Sequence, residues 1–502
     1  DFTALRLRSD MDLAGTFETN NSLLNDIHVI CRDAIQSQLY NSITDCPHRE
    51  KLGWLDVPNE MFNSLVYNYD MENFFKKVVL DCFDAQYSNG RVPSTVPHFM
   101  SVYDDDPNWG GAAILVPYRS WKTYGDVTTM TKFYPQMKKL MDYYTSKTVN
   151  HIMPGSNYSV LSDWGQETAG VNPMVPGEFT ITTTYYYMLN AMAEIASFLG
   201  KDVDAKGFLT QAQNTKKAFN ERFYKDGVYG YGQQSEFAMP LYYGLVDQEN
   251  EELVAAKLAE RVKKDNYKIK TGEIGLKPLF MSLAKYGYND IVYQMANQTD
   301  CPSYGYWVKQ GYTTTPEYWD VGAFSQNHCM MDHIEEWFFS QLGGIRNDGN
   351  GFDIVRIEPW IPEDMNHLDV TTRSIYGNIR CHYERGVDNE MNYTFEIPAN
   401  SQANIVLPCL NHQSVFENGK DVKNGEKGVV SVEYKDGKAY LKMGSGNYTL
   451  QIKKKEATGI QEVNISRARL NDVYYDLEGR NHGKVRPSQK GIFIWNQKKV
   501  VL

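Results

Sequence analysis

The spacing of apolar positions changes shortly after the start of the chain. Within "FTALRLRSDMDLAG", residues 2–15, apolar and polar residues alternate, which is typical of a β-strand. Within "NSLLNDIHVICRDAIQSQL", residues 21–39, apolar positions recur at intervals of three and four, which predicts an α-helix. We therefore assign 1–18 to the remnant of a preceding β domain and expect a helical domain from residue 19 onwards.

The helical spacing continues up to about residue 345. It recurs in "MFNSLVYNYDMENFFKKVVLDCFDAQ", "TTTYYYMLNAMAEIASFLGK", "DAKGFLTQAQNTKKAFNERFY", "ENEELVAAKLAERVKKD", "IGLKPLFMSLAKYG" and "CMMDHIEEWFFSQLGG". Because a helix with its loop takes roughly 25 to 30 residues, the span 19–345 has room for on the order of a dozen helices. A closed ring of helical hairpins, the (α/α)6 barrel, accounts for this number.

After "GGIRNDGNGFD", residues 343–353, the pattern becomes strand-like. Alternation in segments such as "HLDVTTRSIYGNIRCHYER", with turn signals such as "KDGK" and "GSGN", predicts an antiparallel β-sandwich over 346–455. Residues 456–502 carry further short strands joined by turns. The predicted fold class is therefore mainly α, with an (α/α)6 barrel followed by an antiparallel β-sandwich and a short β tail.

Composition narrows the classes of partner and cofactor. The formal net charge of −11 disfavours nucleic acid and anionic membranes, because both reward a basic face. No run approaches the length of a transmembrane helix, so we expect no membrane insertion. The seven cysteines have no CxxC pair and no zinc spacing, and no nucleotide, haem or flavin motif is present. We therefore predict no metal and no cofactor, and leave disulfides and oligomeric state open.

The segment "TDCPHREKLGWLD", residues 44–56, concentrates charged side chains beside a tryptophan. Its Pro and Gly limit regular helix, so we place it on a loop between two helices of the barrel. A solvated turn is one interpretation. Sugar binding is the other, because the indole of Trp54 can stack on ring carbons while acids such as Asp45 and Asp56 bind hydroxyls.

Other loops repeat the combination of acid and aromatic residue. The segment 311–337 places Glu317 beside Trp319, with His328 downstream. Each of these could be an ordinary surface acid, a packing residue or a helix-start histidine. The recurrence favours one shared pocket, because the loops that connect barrel helices converge on one face.

Two more loops place Trp109 after Asp106 and Trp164 after Asp163. The acidic run Asp104–Asp106 lacks EF-hand spacing, so we expect it to be solvated rather than to bind calcium. Separated carboxylates in an aromatic-lined pocket are what glycoside hydrolysis requires. One carboxyl group protonates the leaving oxygen, and the other stays ionised to activate water or attack the sugar. These patterns indicate the reaction class and leave the sugar undetermined.

The motifs resemble those of the α-L-rhamnosidases of glycoside hydrolase family 78, in a bacterial, Bacteroidetes-like form. The family signature "DCPxRxxxLGW" stands here as "DCPHREKLGW", one residue shorter. The segments "DPNWGGAAILVP", "SDWG", "TGEIGLKPLFMSLAKYG" and "SQNHCMMDHIEEWFFSQLGGI" follow in family order, within residues 10–450. The resemblance implies an (α/α)6 barrel followed by a β-sandwich, and hydrolysis of terminal α-L-rhamnosides with inversion.

Carried over by motif, the resemblance implies Glu50 as the general acid and Glu317 as the general base. Counting forward from Asp45 along the longer signature reaches Lys51, which is no acid at neutral pH, whereas counting back from "LGW" reaches Glu50. We use the second count. The candidate substrate-binding residues are Asp45, Arg49, Trp54, Asp56, Trp109, Asp163, Trp164, Trp319 and His328.

The tail resembles the C-terminal sorting modules of secreted Bacteroidetes proteins, which implies a periplasmic or cell-surface protein. The start has no Met and no secretory apolar stretch, so we expect a fragment or a mature form. The implied partner is a rhamnose-containing oligosaccharide or glycoside from plants. Two alternatives to an exo-acting inverting rhamnosidase stay open: an inactive rhamnoside-binding protein, suggested by the shortened loop and Pro316, and a hydrolase of another sugar.

Overall fold

The computed structural model describes residues 2–3, 5, 7–99, 102–155, 160–320, 322, 324–454, 473–484, 487–495 and 498–501. The chain divides into two compact units, Asp1–Lys453 and Lys454–Leu502. In the first unit a helical region is followed by β-sheets, as the sequence predicts. The sheets and the helices belong to the same compact unit.

Helices dominate the first unit up to Leu342. The α-helices are α1 (Ser22–Gln38), α2 (Asp56–Glu60), α3 (Phe62–Asn68), α4 (Glu72–Asp84), α5 (Pro107–Gly110), α6 (Ala112–Tyr124), α7 (Thr128–Lys147), α8 (Gly177–Phe198), α9 (Asp202–Phe223), α10 (Gln234–Tyr243), α11 (Glu251–Lys264), α12 (Glu273–Lys285), α13 (Asn289–Ala296), α14 (Tyr304–Lys309) and α15 (Ile334–Trp337). Shorter 3-10 or π turns are Gln166–Ala169, Gln248–Asn250, Cys329–Met331, Phe338–Leu342 and Val387–Asn389.

One predicted helical stretch is interrupted. The backbone of Tyr69 is extended, with φ −136° and ψ 154°, so α3 and α4 are separate helices. The side chain of Asp70 accepts a hydrogen bond from the backbone N–H of Glu72 at 3.4 Å, at the start of α4. Periodicity missed the break because apolar residues continue on both sides of it, and Tyr69 itself is fully buried.

The strands assemble into two sheets in the first unit. The strands are β1 (Thr16–Thr19), β2 (Tyr224–Lys225), β3 (Val228–Tyr229), β4 (Ile345–Asn347), β5 (Ile354–Ile357), β6 (His367–Ser374), β7 (Gly377–Arg385), β8 (Met391–Ile397), β9 (Gln402–Pro408), β10 (Gln413–Glu417), β11 (Lys420–Asp421), β12 (Val429–Lys435), β13 (Lys438–Met443) and β14 (Gly446–Lys454). The larger sheet has the order β1-β6-β7-β8-β14-β10-β11, and the smaller has the order β12-β13-β9-β5-β4. The strands β2 and β3 form a separate hairpin. Alternate residues of β6 and β8 are buried, so the larger sheet buries one face.

Two features of the strands differ from the sequence-based expectation. The strands β5 and β9 run parallel, in sheets that we expected to be antiparallel throughout. The alternation within residues 2–15 predicted a strand, but the described residues of that segment contain only an isolated bridge at Leu13, and β1 begins at Thr16. The strand β1 pairs with β6 at the edge of the larger sheet. A local pattern does not identify this partner, because β6 lies far away in the sequence.

The second unit contains β15 (Tyr474–Asp476), β16 (Ile492–Trp495) and β17 (Lys498–Val501), in an antiparallel sheet with this order. Residues 455–472, 485–486, 496–497 and 502 of the predicted tail lie outside the described residues. Among the helices that the structure describes, none combines the length and apolar character needed to cross a bilayer.

Candidate active site

Loops from distant parts of the chain line one cavity of about 610 Å³ in the first unit. Its lining residues are Asp45, Glu50, Leu52, Trp54, Asp56, Phe99, Val102, Tyr103, Trp109, Leu161, Trp164, Glu273, Glu317, Phe324, His328 and Met330. A second cavity, of about 660 Å³, lies around Trp360 and is lined by none of the candidate residues. We centre the site on the first cavity, because the predicted carboxylates and aromatic residues meet there.

The motif loop is closed by the carboxylate of Asp45. This carboxylate accepts a hydrogen bond from the backbone N–H of Leu52 at 2.9 Å and one from the Cys46 thiol at 3.0 Å. Burial raises the pKa of Asp45 to about 6, and the charge of Glu50 acts in the same direction. Asp45 therefore fixes the shape of the loop as well as facing the cavity.

Glu50 is an exposed residue of this loop, and its side chain reaches the cavity. Its Oε2 accepts a hydrogen bond from Nε1 of Trp54 at 2.9 Å. The neighbouring Lys51 has a left-handed backbone, with φ 59°, and is absent from the cavity lining. This placement favours Glu50 over Lys51 as the acid of the shortened motif.

Glu317 lies on the long loop after α14 and is buried, with 7% exposure. Its carboxylate accepts hydrogen bonds from Nε1 of Trp164 at 3.3 Å and from the backbone N–H of Ser325 at 3.0 Å. A third donor, Nη1 of Arg49, lies 3.5 Å from Oε2 of Glu317. Burial raises the pKa of Glu317, while these donors oppose the rise because they favour the carboxylate. Arg49 itself lies over the ring of Phe324, 4.9 Å from its centroid.

Asp56 and Glu273 form a pair of buried carboxyl groups at the starts of α2 and α12. Burial raises the pKa of Asp56 to about 7 and that of Glu273 well above its usual range. Burial is the main cause for both groups, and the neighbouring carboxylate of Asp56 raises the pKa of Glu273 further, because two adjacent buried carboxylates repel. Among the described residues, Asp56 Oδ1 and Glu273 Oε1 have no hydrogen-bond partner, and both side chains line the cavity.

Our sequence analysis missed Glu273. The available signal was its position in the family-like segment "TGEIG" at a helix start. The backbone N–H of Glu273 bonds to the carbonyl of Trp164 at 2.9 Å. A Cβ at the preceding Gly272 would lie 2.2 Å from that carbonyl oxygen, so only glycine permits this approach.

Asp163 and Trp319 lie behind the cavity and do not line it. The buried carboxylate of Asp163 accepts hydrogen bonds from the Ser235 hydroxyl at 2.6 Å and from the backbone N–H of Gly275 at 2.9 Å. Trp319 is fully buried and stacks on Trp307, with ring centroids 4.6 Å apart. Both residues hold loops in place. Their position indicates a structural role, whereas we expected both to contact the sugar.

His328 is buried in the wall of the cavity. Its Nδ1 accepts a hydrogen bond from the backbone N–H of Met330 at 3.3 Å, so we assign the ring proton to Nε2. Burial first, and then the charges of Arg49 and His48, lower the pKa of His328 to about 3. The imidazole is therefore neutral near pH 7, with an N–H to donate.

The acidic run before α5 is not solvated as predicted. Asp106 is fully buried and accepts hydrogen bonds from the backbone N–H groups of Asn108 at 2.9 Å, Leu161 at 2.9 Å and Ser162 at 3.1 Å. Asp104 is also buried, accepts the backbone N–H of Ser94 at 3.1 Å and pairs with an arginine. These acids hold the loops that carry Trp109 and Trp164.

The helical region and the β region of the first unit each match the model of a protein family. Residues 12–342 match the bacterial α-L-rhamnosidase 6 hairpin glycosidase domain. Residues 344–421 match the bacterial α-L-rhamnosidase C-terminal domain. The chain belongs to the bacterial α-L-rhamnosidase family. The order of a helical domain and a β domain in this family is the order predicted from the sequence.

Individual members of the α-L-rhamnosidase family resemble most of the chain. An α-L-rhamnosidase of Formosa agariphila is 27% identical over 487 residues, which cover 90% of this chain and 50% of that protein. The solved structure of an α-L-rhamnosidase from Dictyoglumus thermophilum has a TM-score of 0.82 and 27% identity, covering 89% of this chain and 51% of that one.

A Streptomyces avermitilis α-L-rhamnosidase solved with L-rhamnose has a TM-score of 0.81 and 23% identity, covering 89% of this chain and 43% of that one. At this identity the likeness concerns the fold. The chain spans about half the length of the curated relatives that it matches.

Proposed function

We propose that this chain is the catalytic part of an exo-acting, inverting α-L-rhamnosidase that releases terminal rhamnose from plant-derived glycosides or pectic oligosaccharides. The observation that carries the proposal is the meeting of Glu50 and Glu317 in one aromatic-lined cavity. Membership of the α-L-rhamnosidase family supports the sugar, as does the L-rhamnose bound to the Streptomyces avermitilis relative. We further propose that α1 to α15 form an (α/α)6 barrel, with the catalytic loops at one end.

In this mechanism one carboxyl group accepts a proton from water and the other donates a proton to the leaving oxygen. Glu317 takes a proton from a water molecule as the water oxygen attacks the anomeric carbon. Glu50 gives its proton to the glycosidic oxygen as the bond between that oxygen and the sugar breaks. Inversion requires room for the water, so we expect the carboxyl groups to lie about 6.5 to 9.5 Å apart. The donors around Glu317 suit a base, because they stabilise its ionised form.

The remaining cavity residues divide into apolar and polar walls. The indole faces of Trp109 and Trp164 suit the apolar face and the methyl group of rhamnose. Asp45 and the Asp56–Glu273 pair suit its hydroxyl groups, since carboxyl groups accept such hydrogen bonds. The neutral His328 offers one N–H donor. Pro316, directly before the proposed base, is buried and is not among the residues that line the cavity.

The decisive experiment is release of p-nitrophenol from p-nitrophenyl α-L-rhamnopyranoside. We expect turnover by the wild type and a loss of several orders of magnitude in kcat for Glu50→Gln and Glu317→Gln. Glu249→Gln, at an exposed acid, is the matched control and should keep wild-type activity. NMR of the first sugar released should show the β-anomer, and release of the α-anomer would overturn the inverting mechanism.

The same assay separates the two alternatives. A wild type that binds rhamnose without hydrolysing any rhamnoside would point to a binding protein on this scaffold. Faster release of another sugar from its p-nitrophenyl glycoside would point to a changed specificity. Activity on the rhamnoside that Glu317→Gln abolishes would exclude the binding protein.

We also propose an extracytoplasmic location for the whole protein, with the C-terminal unit acting as a sorting-like, Bacteroidetes-type module. The support is the likeness of the tail sequence to such modules. The protein should appear in the periplasmic or cell-surface fraction of its host. Recovery from the cytosolic fraction alone would contradict this location.

A further inference from the structure

Two histidines and two acids face the same side of the larger sheet, away from the catalytic cavity. His367 of β6 lies opposite Glu384 of β7, and Asp369 of β6 lies opposite His382 of β7. Residues two apart on a strand point to the same face, so the four side chains form one cluster. None of them lines the cavity that contains Glu50.

Three of these side chains present ligand atoms to a common point. Nδ1 of His367 lies 3.8 Å from Oε1 of Glu384, and Nε2 of His382 lies 3.9 Å from the same oxygen. All three ligand atoms lie within 4.8 Å of one another. Tetrahedral zinc, with bonds of about 2.0 to 2.2 Å, places its ligand atoms roughly 3.3 to 3.5 Å apart. Small rotations of the two imidazole rings and of Glu384, whose side chain is 62% exposed, are needed to bring all three atoms to this separation.

A further acid is placed to orient one of the histidines. Nδ1 of His382 is a buried atom with no hydrogen-bond partner among the described residues, and Oδ2 of Asp369 lies 3.7 Å away from it. Arg380 holds that carboxylate through two hydrogen bonds, one of them from Nε at 2.8 Å. A metal on Nε2 fixes the proton on Nδ1, which then faces Asp369, and this is the arrangement that supports histidine ligands in zinc sites.

A cluster of histidines paired directly with acids is the alternative interpretation. The histidine nitrogens lie 3.7 to 3.9 Å from the carboxylate oxygens of Asp369 and Glu384, which is longer than a hydrogen bond. The side chains therefore surround a common point and do not bond to one another.

We propose that His367, His382 and Glu384 bind a divalent metal ion of the zinc class, with water as the fourth ligand. The ion ties β6 to β7 next to the edge where β1 pairs, so its role is to stabilise the sheet. Our sequence analysis predicted no metal because the cysteines lack zinc spacing and the acidic run lacks EF-hand spacing. This inference does not depend on the proposed rhamnosidase activity.

The test is zinc binding to the full chain after removal of metals with a chelator, measured by calorimetry and by competition with a chromophoric chelator. We expect one ion per chain. His367→Gln and His382→Gln should each weaken binding at least about 100-fold, and Asp369→Asn about 10- to 100-fold. His412→Gln, at an exposed histidine of another loop, is the matched control and should bind as the wild type does.

The visible spectrum of bound Co²⁺ and the circular dichroism of the variants complete the test. Co²⁺ bound at this site should give the visible spectrum of nitrogen and oxygen ligands without thiolate charge-transfer bands, which excludes binding by cysteines. The metal-free variants should keep the far-UV circular dichroism of the wild type. Absence of stoichiometric binding by the wild type, or equal affinity in the His382→Gln and His412→Gln variants, would overturn the proposal.

Discussion

Glu317 and Glu50 differ in the number of donors that surround them. Glu317 faces an indole N–H, a backbone N–H and the Arg49 guanidinium, whereas Glu50 accepts its hydrogen bond from Trp54. Donors and a nearby cation stabilise a carboxylate, and burial destabilises it. At the scale of single residues, this difference is the physical basis for assigning the base role to Glu317.

Arg49→Gln tests that assignment through the pH dependence of activity. Removing the cation destabilises the ionised form of Glu317, so the pKa of Glu317 should rise further. A base acts when it is ionised, so the acid limb of the kcat/KM profile should move to higher pH. Rates of p-nitrophenyl rhamnoside hydrolysis between about pH 4 and pH 8 measure the shift.

The control for this variant is Lys51→Gln, which removes an exposed cation from the same loop. Its acid limb should stay where the wild type has it. Equal shifts in the two variants would show a general charge effect of the loop. An unshifted Arg49→Gln profile would contradict the role of Arg49 beside the proposed base.

At the scale of elements, short helices and loops are joined into a rigid cavity wall by buried side chains. Asp106 caps α5 and also binds the backbone at Leu161 and Ser162, so one carboxylate holds two cavity loops together. Asp163 joins its own loop to α10 and α12 in the same way. Asp163, a candidate ligand in the sequence, and Asp106, which we expected to be solvated, thus connect structural elements.

Asp106→Ala should therefore affect both stability and substrate binding. It removes a helix cap and leaves buried N–H groups at Leu161 and Ser162 without a partner, at a cost of about 1 to 3 kcal/mol in the free energy of unfolding. The cavity wall should loosen, so KM for p-nitrophenyl rhamnoside should rise. Urea denaturation and steady-state kinetics measure the two effects.

Asp126→Ala is the matched control, because Asp126 bonds only to Thr128 and Thr129 in the hydrogen bonds that the structure describes for it. It should lose comparable stability and keep the wild-type KM. A rise in KM in both variants would assign the effect to stability alone.

At the scale of the whole molecule, a strand from the start of the first unit joins the larger sheet of its C-terminal part. The strand β1 pairs with β6, and the ring of Phe17 on β1 stacks on Phe338, with centroids 4.6 Å apart. Pairing between such distant segments lets the N-terminal strand join the helical region to the larger sheet. Burial of Phe17 contributes to that junction.

Phe17→Ala should destabilise the first unit by about 3 to 5 kcal/mol, because it leaves a cavity where a buried aromatic ring was packed. Thermal and denaturant unfolding measure the loss. Phe2→Ala is the control, since Phe2 is fully exposed, and it should unfold as the wild type does. Equal stability of the two variants would contradict a structural role for β1.

Local patterns predicted the features that depend on neighbouring residues. The spacing of apolar residues indicated helices and then strands, since side-chain direction repeats within a few residues of either structure. The motif around Glu50 and Trp54 marked a loop that lines the cavity, because Pro and Gly interrupt regular structure there. The family resemblance then indicated Glu317, which a local pattern alone could not distinguish from a surface acid.

The sequence by itself determined the order of helical and β regions, the loops proposed to carry the chemistry, and the family. Only the tertiary structure decided which acids and aromatic rings face the cavity. Trp319 packs in the core, Asp163 ties loops together, and the unpredicted Glu273 lines the cavity beside Asp56. The partner of β1 and the cluster around His382 were likewise decided by folding. The physical reason is that burial and pairing depend on residues far apart in the chain, which no local spacing records.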